Sequence, residues 1–323
     1  MRILVTGAAG FLGTNLCLRL IKEGHKVIGV DNFQTGRLDN ITMLKEASKK
    51  DPIAFFNVDI TQAFDYNREY NGKLDWIFHL ACPASPPHYQ KDMRNTVLVN
   101  VLGTDNAIQM AKAHNARILL ASTSEVYGDP LEHPQKETYW GRRNPFGPRS
   151  CYDEGKAAAE ALMFAAINQA GVKGRIARIF NTYGPFMDAN DGRVVSNFIV
   201  KSLKNDSLEV YGDGSQTRSI CFVDDMIDGL IKLMESDVQE PVNLGNPDEK
   251  TVLELARIIL KLTRSSSAII HKPLPIDDPK QRCPDISKAK KLLNWQSKVS
   301  IEEGIKKTIP YFRKVLELSA GNV

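Results

Sequence analysis

The chain has no apolar run near the ~20 residues that a membrane-spanning helix needs, so a transmembrane protein is not expected. Cysteine is scarce and odd in number: Cys17, Cys82, Cys151, Cys221 and Cys283. No two stand at metal-ligand spacing, so a reduced, cytoplasmic protein without structural disulfides is the natural expectation. The six histidines contain no H-x-x-x-H pair or similar, so no metal site is expected. No segment is of low complexity and none repeats at a fixed period, which excludes solenoids and arrays. The formal charge of +4 is too small and too scattered for a nucleic-acid surface. No charged-then-apolar leader is visible, since Met1-Arg-Ile-Leu-Val-Thr-Gly7 already reads as a strand running into a turn.

What is present is an alternation. The 323 residues suit one large domain with a smaller lobe. Residues 2–6 and 27–30 read as strands flanking an amphipathic stretch that ends at Gly24-His25, a β-α-β unit. Strands follow at 54–58, 76–81, 117–121 and 175–180, and helices at 95–114 and 151–170. Strands alternating with helices imply a doubly wound parallel sheet of α/β class, covered on both faces. After residue 181 Pro, Gly and Asn become frequent, as in Asn181-Thr-Tyr-Gly-Pro185 and Tyr211-Gly-Asp-Gly-Ser215. The expected organisation is a dinucleotide-binding domain over 1–180, with a return segment at about 219–246 that rejoins the sheet near Ser219–Val223. Residues 181–218 and 247–323 then form an interleaved substrate lobe.

Gly7, Gly10 and Gly13 follow the first strand and open the first helix with spacing G-x-x-G-x-x-G. Such a turn must be tight, must admit a pyrophosphate close to the backbone, and must let helix pack on strand. The free N–H groups of the helix start then meet the phosphates, and a mild positive balance suits diphosphate ligands. Asp31 stands 18 residues beyond Gly13 at the end of the second strand. An acid there accepts hydrogen bonds from ribose hydroxyls and repels a 2′-phosphate, which favours NAD over NADP. Nearby Arg37 pulls the other way. Tyr152 and Lys156 lie four apart on one helical face. A nearby ammonium and a cationic nicotinamide would both favour the phenolate of a tyrosine that is otherwise a weak base. That phenolate could take a proton from a sugar hydroxyl. Asp224 and Asp225 read as helix N-terminal caps, and Trp140 and Trp295 as packing residues.

Together the glycine triplet, Asp31, His79-Leu-Ala81, Asn100, the cluster at 122–124 and Tyr152/Lys156 resemble the extended short-chain dehydrogenases/reductases over nearly the whole chain. The resemblance implies that Thr123 bonds the sugar hydroxyl beside Tyr152 and that Asn100 supports the tyrosine's helix. It implies an NAD site of Gly7, Gly10, Phe11, Leu12 and Gly13, then Asp31, Asn32, Thr35 and Gly36. Asp59 and Ile60, Leu80, Ala81 and Cys82, and Ala121 and Thr182 continue it, with Tyr152 and Lys156. Within that family, longer segments are similar to the UDP-glucuronate decarboxylases. These include Pro83-Ala-Ser-Pro-Pro87, Ser122-Thr-Ser-Glu-Val-Tyr-Gly-Asp-Pro130, Asn190-Asp-Gly-Arg-Val-Val-Ser-Asn-Phe198 and Tyr211-Gly-Asp-Gly-Ser-Gln-Thr-Arg218.

That similarity implies oxidation of UDP-glucuronate at C4 by NAD, loss of CO₂ from the β-keto acid, and return of hydride to give UDP-xylose. Ser124 stands where the family's dehydratases carry the aspartate that protonates a departing hydroxide. Glu125 would position the sugar or exchange a proton, and Arg282 would hold the carboxylate. Ser85, Ser124, Asn181, Arg193, Asn197, Tyr211, Gln216 and Arg218 would grip the substrate, with Arg218 on the diphosphate and Tyr211 along the uracil. Glu125 and Arg282 argue against a sister UDP-sugar 4-epimerase. Early release of the 4-keto pentose stays open. A non-catalytic NAD sensor would be expected to lack the Tyr/Lys pair. By analogy with the family a homodimer through helices 95–114 and 151–170 is expected, with neither nucleic acid nor membrane as partner.

Overall fold

A computed structural model describes residues 1–49, 53–62, 72–273 and 281–320. The expected substrate lobe therefore includes segments, 274–280 and 321–323, that lie outside the described residues. Among the described residues, seven parallel strands form the central sheet, in the order β11-β6-β5-β4-β1-β2-β3. They are β1 (Arg2–Thr6), β2 (Lys26–Asp31), β3 (Ala54–Asn57), β4 (Trp76–His79), β5 (Arg117–Thr123), β6 (Lys173–Ile179) and β11 (Val242–Leu244). Alternate residues of β1 serve opposite faces. Ile3 and Val5 join a core with Leu16, Leu20 and Met226, whereas Leu4 joins one with Ile77, Ala107 and Ala159. Both faces are thus buried by helices, which is why the strands read as continuous apolar runs rather than as alternation. The order reverses beside β1, so a crevice opens at the carboxyl ends of β1 and β4.

Several expectations are corrected. The helix expected over 95–114 is Met93–Leu98, a π-helical segment Val99–Gly103, and then Thr104–His114. The Asn100 amide donates to the carbonyl of Thr96, four residues back, at 2.9 Å. That side chain competes for the acceptor of an ordinary helical turn, and such insertion widens the ladder. A helix at Leu38–Ala47 was not expected from the sequence. The return to the sheet comes later than 219–223. Cys221–Phe222 (β10) pairs instead with Thr182–Tyr183 (β7) in a separate two-stranded sheet, and Val242–Leu244 is the strand that joins β6. Asp224 and Asp225 do not cap the helix Val223–Glu235 but sit in its first turn. There their charge suits the helix dipole, and Asp225 accepts the backbone N–H groups of Lys298 and Val299 at 2.8 Å each. Trp295 is a buried packing residue as expected, but Trp140 is 93% exposed.

The smaller lobe carries β8 (Leu208–Tyr211) with β13 (Ile269–Lys272), and β9 (Thr217–Ser219) with β12 (Glu249–Thr251). Helices Val194–Lys204, Val252–Thr263 and Ile301–Ala320 pack around them. The helix Val252–Thr263 starts at a capping box: the Thr251 hydroxyl accepts the N–H of Glu254, whose carboxylate accepts the N–H of Thr251. No helix among the described residues is long and apolar enough to cross a membrane.

Candidate active site

The turn after β1 is shaped for close approach. Gly7 adopts φ +72°, a conformation costly for other residues. A Cβ on Gly13 would stand 1.9 Å from the Gly7 carbonyl oxygen, so the helix Phe11–Lys22 can lie on the turn only with glycine there. Its first turn has neither a side-chain cap nor an acid, so its N–H groups and positive end are left for an anion. Asp31 is buried at the end of β2, and its carboxylate accepts N–H groups from Ala9 at 2.9 Å and Phe33 at 2.8 Å. Burial pushes this carboxyl above its usual value while the backbone donors pull it down. Arg37 turns toward Asp39 in a 3.1 Å ion pair. A backbone cradle that a Cβ would fill, ending at a fixed carboxylate, fits the pyrophosphate and ribose of a dinucleotide.

Tyr152 and Lys156 share one face of the helix Ser150–Ala170. The Lys156 ammonium donates to the Ala121 carbonyl at 2.8 Å and lies 5.9 Å from the Tyr152 ring centre. Tyr152 is buried and stacked on Tyr89 with ring centres 5.0 Å apart and planes within 6°. Burial dominates its acidity and pushes the phenol above its ordinary value; the nearby Thr123 hydroxyl and the Arg193 charge oppose that. Without a ligand, then, the protein keeps the phenol protonated. Asn100 fills the space beside Gly155, where an added Cβ would meet its amide at 3.0 Å. The π-helical segment thereby seats the turn of helix between Tyr152 and Lys156. Behind them His79 bridges Thr6 and Thr104 at 2.9 and 3.2 Å, and burial drives its pKa down to about 3.

Glu125 follows β5 on a short 3-10 turn and is held between two guanidiniums, with Arg149 at 2.6 Å and Arg282 at 3.2 Å. Burial alone would raise this carboxyl, but the charges of Arg282 and Arg149, the Arg149 hydrogen bond and the Arg218 charge overcome it and hold it at about 2. Arg282 is only 2% exposed. It donates to the carbonyls of Ser124 and Gly128 as well as to Glu125. Its two terminal nitrogens therefore already have protein acceptors, which makes it a brace for this loop. Asp153 is also buried here, and burial followed by the Glu125 charge pushes it up to about 7.

These elements wall one continuous cavity of about 580 Å³, running from the glycine turn past Tyr152 to the smaller lobe. It brings together every expected residue but two. Gly36 and Asp59 are not on the wall. Gly36 backs onto the Asp31 carboxylate, where a Cβ would come within 2.8 Å, and Asp59 accepts the N–H and hydroxyl of Thr61 at 2.9 and 2.8 Å. On the substrate side Arg193 pairs through two nitrogens with Asp191, Ser85 bonds His88 at 2.8 Å, and Gln216 donates to the Tyr211 carbonyl at 2.8 Å. Asn181, Asn197, Arg218 and Thr182 line the same wall. Sequence reasoning missed Arg149 and Tyr89. Arg149 stands just before Ser150-Cys-Tyr152, but nothing in the spacing ties it to Glu125, 24 residues earlier. Tyr89 closes a Pro-rich turn whose contact with Tyr152 exists only in the fold.

A crevice at the strand ends, a glycine cradle and a Tyr/Lys pair define a dinucleotide-dependent enzyme, and the chain belongs to the NAD-dependent epimerase/dehydratase family, whose model matches residues 3–245. Among curated relatives it is similar to UDP-glucuronic acid decarboxylase 1 of Danio rerio, 50% identical over 321 residues, 99% of this chain and 75% of the relative. Among solved structures it is similar to the UDP-glucose 4-epimerase of Thermotoga maritima with UDP-glucose (TM-score 0.89, 29% identity, covering 98% of this chain and 100% of that one). It is also similar to the UDP-glucuronic acid 4-epimerase of Bacillus cereus in complex with UDP-glucuronic acid and NAD (TM-score 0.86, 28% identity, covering 98% and 100%).

Proposed function

We propose that this chain is an NAD-dependent UDP-glucuronate decarboxylase that yields UDP-xylose with no net consumption of cofactor. The observation that carries this is half-identity with a UDP-glucuronic acid decarboxylase along 99% of the chain. The Tyr152, Thr123 and Glu125 groups standing on one cavity wall are consistent with it. NAD, when bound, accepts two electrons from C4 of the sugar and later gives them back.

With the positive charges of Lys156 and of a bound cationic nicotinamide favouring its phenolate, Tyr152 takes the proton of the C4 hydroxyl, with Thr123 holding the same oxygen. Lys156, fixed on the Ala121 carbonyl, supplies positive charge behind the ring. The resulting 4-ketone lies β to the C6 carboxylate, so the bond to CO₂ breaks and its electrons settle into an enolate. Tyr152 and Thr123 stabilise that oxygen by hydrogen bonding. C5 then takes a proton from solvent, and as the electrons return to C4, Tyr152 gives its proton back to the C4 oxygen. Glu125, kept ionised by its two arginines, acts as an acceptor that orients sugar hydroxyls rather than as an acid. Arg282 braces Glu125 and the loop after Ser124, and the guanidiniums of Arg149 and Arg282 beside Glu125 suit an anionic substrate.

Residues 1–180 with about 219–246 act as the NAD-binding part, and 181–218 with 247–323 as the substrate lobe. A cytoplasmic homodimer is part of the same reading. It is supported by the exposed Met93, Val97 and Leu102 on the helix ahead of Asn115 and by the exposed Phe164 on Ser150–Ala170, and sedimentation as a monomer would refute it. For the activity, purified protein is mixed with UDP-glucuronate without reductant, and products are followed by mass. Release of CO₂ with a UDP-pentose and no accumulating NADH is expected. An isomer of unchanged mass would replace this reading with a 4-epimerase, and a UDP-4-keto-pentose with NADH would mark early release.

A further inference from the structure

Outside the catalytic cavity, three segments distant in sequence bring together a histidine, a carboxylate and a thiol. The donor atoms of His133, Glu249 and Cys283 all lie within 4.8 Å of one another. The His133 Nε2 is 2.9 Å from Glu249 Oε2, while among the described residues the Cys283 thiol meets the Pro247 carbonyl, a weak acceptor at 3.5 Å. We propose that these three side chains form a binding site for a divalent transition-metal ion of the zinc type, with a fourth position open to water.

The donor set argues for that class of ion. A thiolate and an imidazole beside one carboxylate suit borderline-soft Zn²⁺ or Co²⁺ and do not suit Mg²⁺ or Ca²⁺, which take oxygen ligands. Around a tetrahedral ion with bonds of about 2.0–2.3 Å, donor atoms stand roughly 3.3–3.8 Å apart. The histidine and glutamate must part slightly and the thiol must close in. The thiol gives its proton to solvent as the metal–sulfur bond forms.

The scaffold is set without the ion. Gln135 ties the first segment to the third: its N–H donates to the Cys283 carbonyl and its side-chain oxygen accepts the Cys283 N–H, both at 2.9 Å. Glu249 is fixed from behind by the Thr217 hydroxyl at 2.6 Å, an outer partner of the kind that orients ligating carboxylates. The buried thiol forms the floor while His133 and Glu249 remain partly exposed, which leaves an entry path. An ion here would fasten the segment carrying Arg282 to β12. No metal site was expected because residues 133, 249 and 283 show no spacing; only the fold unites them.

The test uses Co²⁺ alone as probe, added to full-length protein stripped with chelator. The expected result is a cobalt–thiolate charge-transfer band that saturates at one ion per chain and is displaced by Zn²⁺. The band should vanish in Cys283→Ser and persist in Cys82→Ala. His133→Ala, at a surface position that leaves the core intact, should weaken Co²⁺ binding by more than about tenfold, the least effect seen even for outer-shell changes. Absence of a band in the wild type, its survival in Cys283→Ser, or an unchanged affinity in His133→Ala would each overturn the proposal.

Discussion

Replacing Glu125 with glutamine tests the electrostatic frame of the site. The variant keeps the shape and removes the charge that Arg149 and Arg282 share at 2.6 and 3.2 Å. In the fold this carboxyl titrates near 2 rather than at its ordinary 4.5. At about 1.4 kcal/mol per pH unit, that gap is worth about 3 kcal/mol at pH 7. A pair broken by removing one partner typically costs about 3–5 kcal/mol, so the two routes agree. The sign follows from the depressed value. The contribution is complete above about pH 4.5 and is lost as pH falls toward 2. By pH 3 it shrinks to about 1.4 kcal/mol. Urea unfolding of wild type and Glu125→Gln at pH 7 and at pH 3 measures both values. A difference below about 0.5 kcal/mol at pH 7, within the scatter of ordinary surface substitutions, would refute the reasoning. So would a difference that does not narrow at pH 3.

Tyr152→Phe keeps the stack on Tyr89 but loses the hydroxyl, so turnover should fall by about 10²–10⁴ while calorimetric affinity for UDP-glucuronate stays nearly unchanged. Gly13→Ala places a Cβ 1.9 Å from a backbone oxygen that cannot rotate away. Helix and turn must separate, so stability should drop by about 1–3 kcal/mol and NAD binding should weaken with it, as read by denaturation and fluorescence titration. His79 is held neutral, with its pKa lowered to about 3 by burial and then by the Lys156 charge. Its contribution is therefore full above about pH 6.5 and drains away as pH falls toward 3. NMR titration should show this imidazole unprotonated at pH 5, and protonation there would contradict the burial argument.

The parallel sheet was legible because its strands are short apolar runs separated by amphipathic helices, a pattern local enough to see in one dimension. The helix Leu38–Ala47 was not legible because it buries only Asn40, Ile41 and Leu44, too faint a stripe to recognise. Val242–Leu244 is a strand of three residues whose identity comes from pairing with β6, not from its composition. The π-helical segment depends on one side chain competing for one carbonyl, a choice that propensity does not encode. In the site, the glycines and the Tyr/Lys pair announce themselves by spacing. The partners of Glu125 do not, since Arg149 and Arg282 reach it across 24 and 157 residues. Arg282, expected to meet the substrate's carboxylate, lines the cavity, and its further bonds to Ser124, Glu125 and Gly128 show only in the fold.

The late return of the chain to its sheet bears on how the protein is made. The edge strand beyond β6 is Val242–Leu244, and the helix before it, Val223–Glu235, covers one face. A nascent chain that has emerged only as far as residue 180 therefore holds six of the seven strands, with the backbone of β6 unpaired along one side and apolar surface bare. Completion waits until about three-quarters of the chain is out, by which time the first substrate-lobe segments have already been synthesised. The cofactor half is thus not a module that can be cut free and kept. Expressed alone to residue 180, it would present to other copies the open edge that the last strand closes.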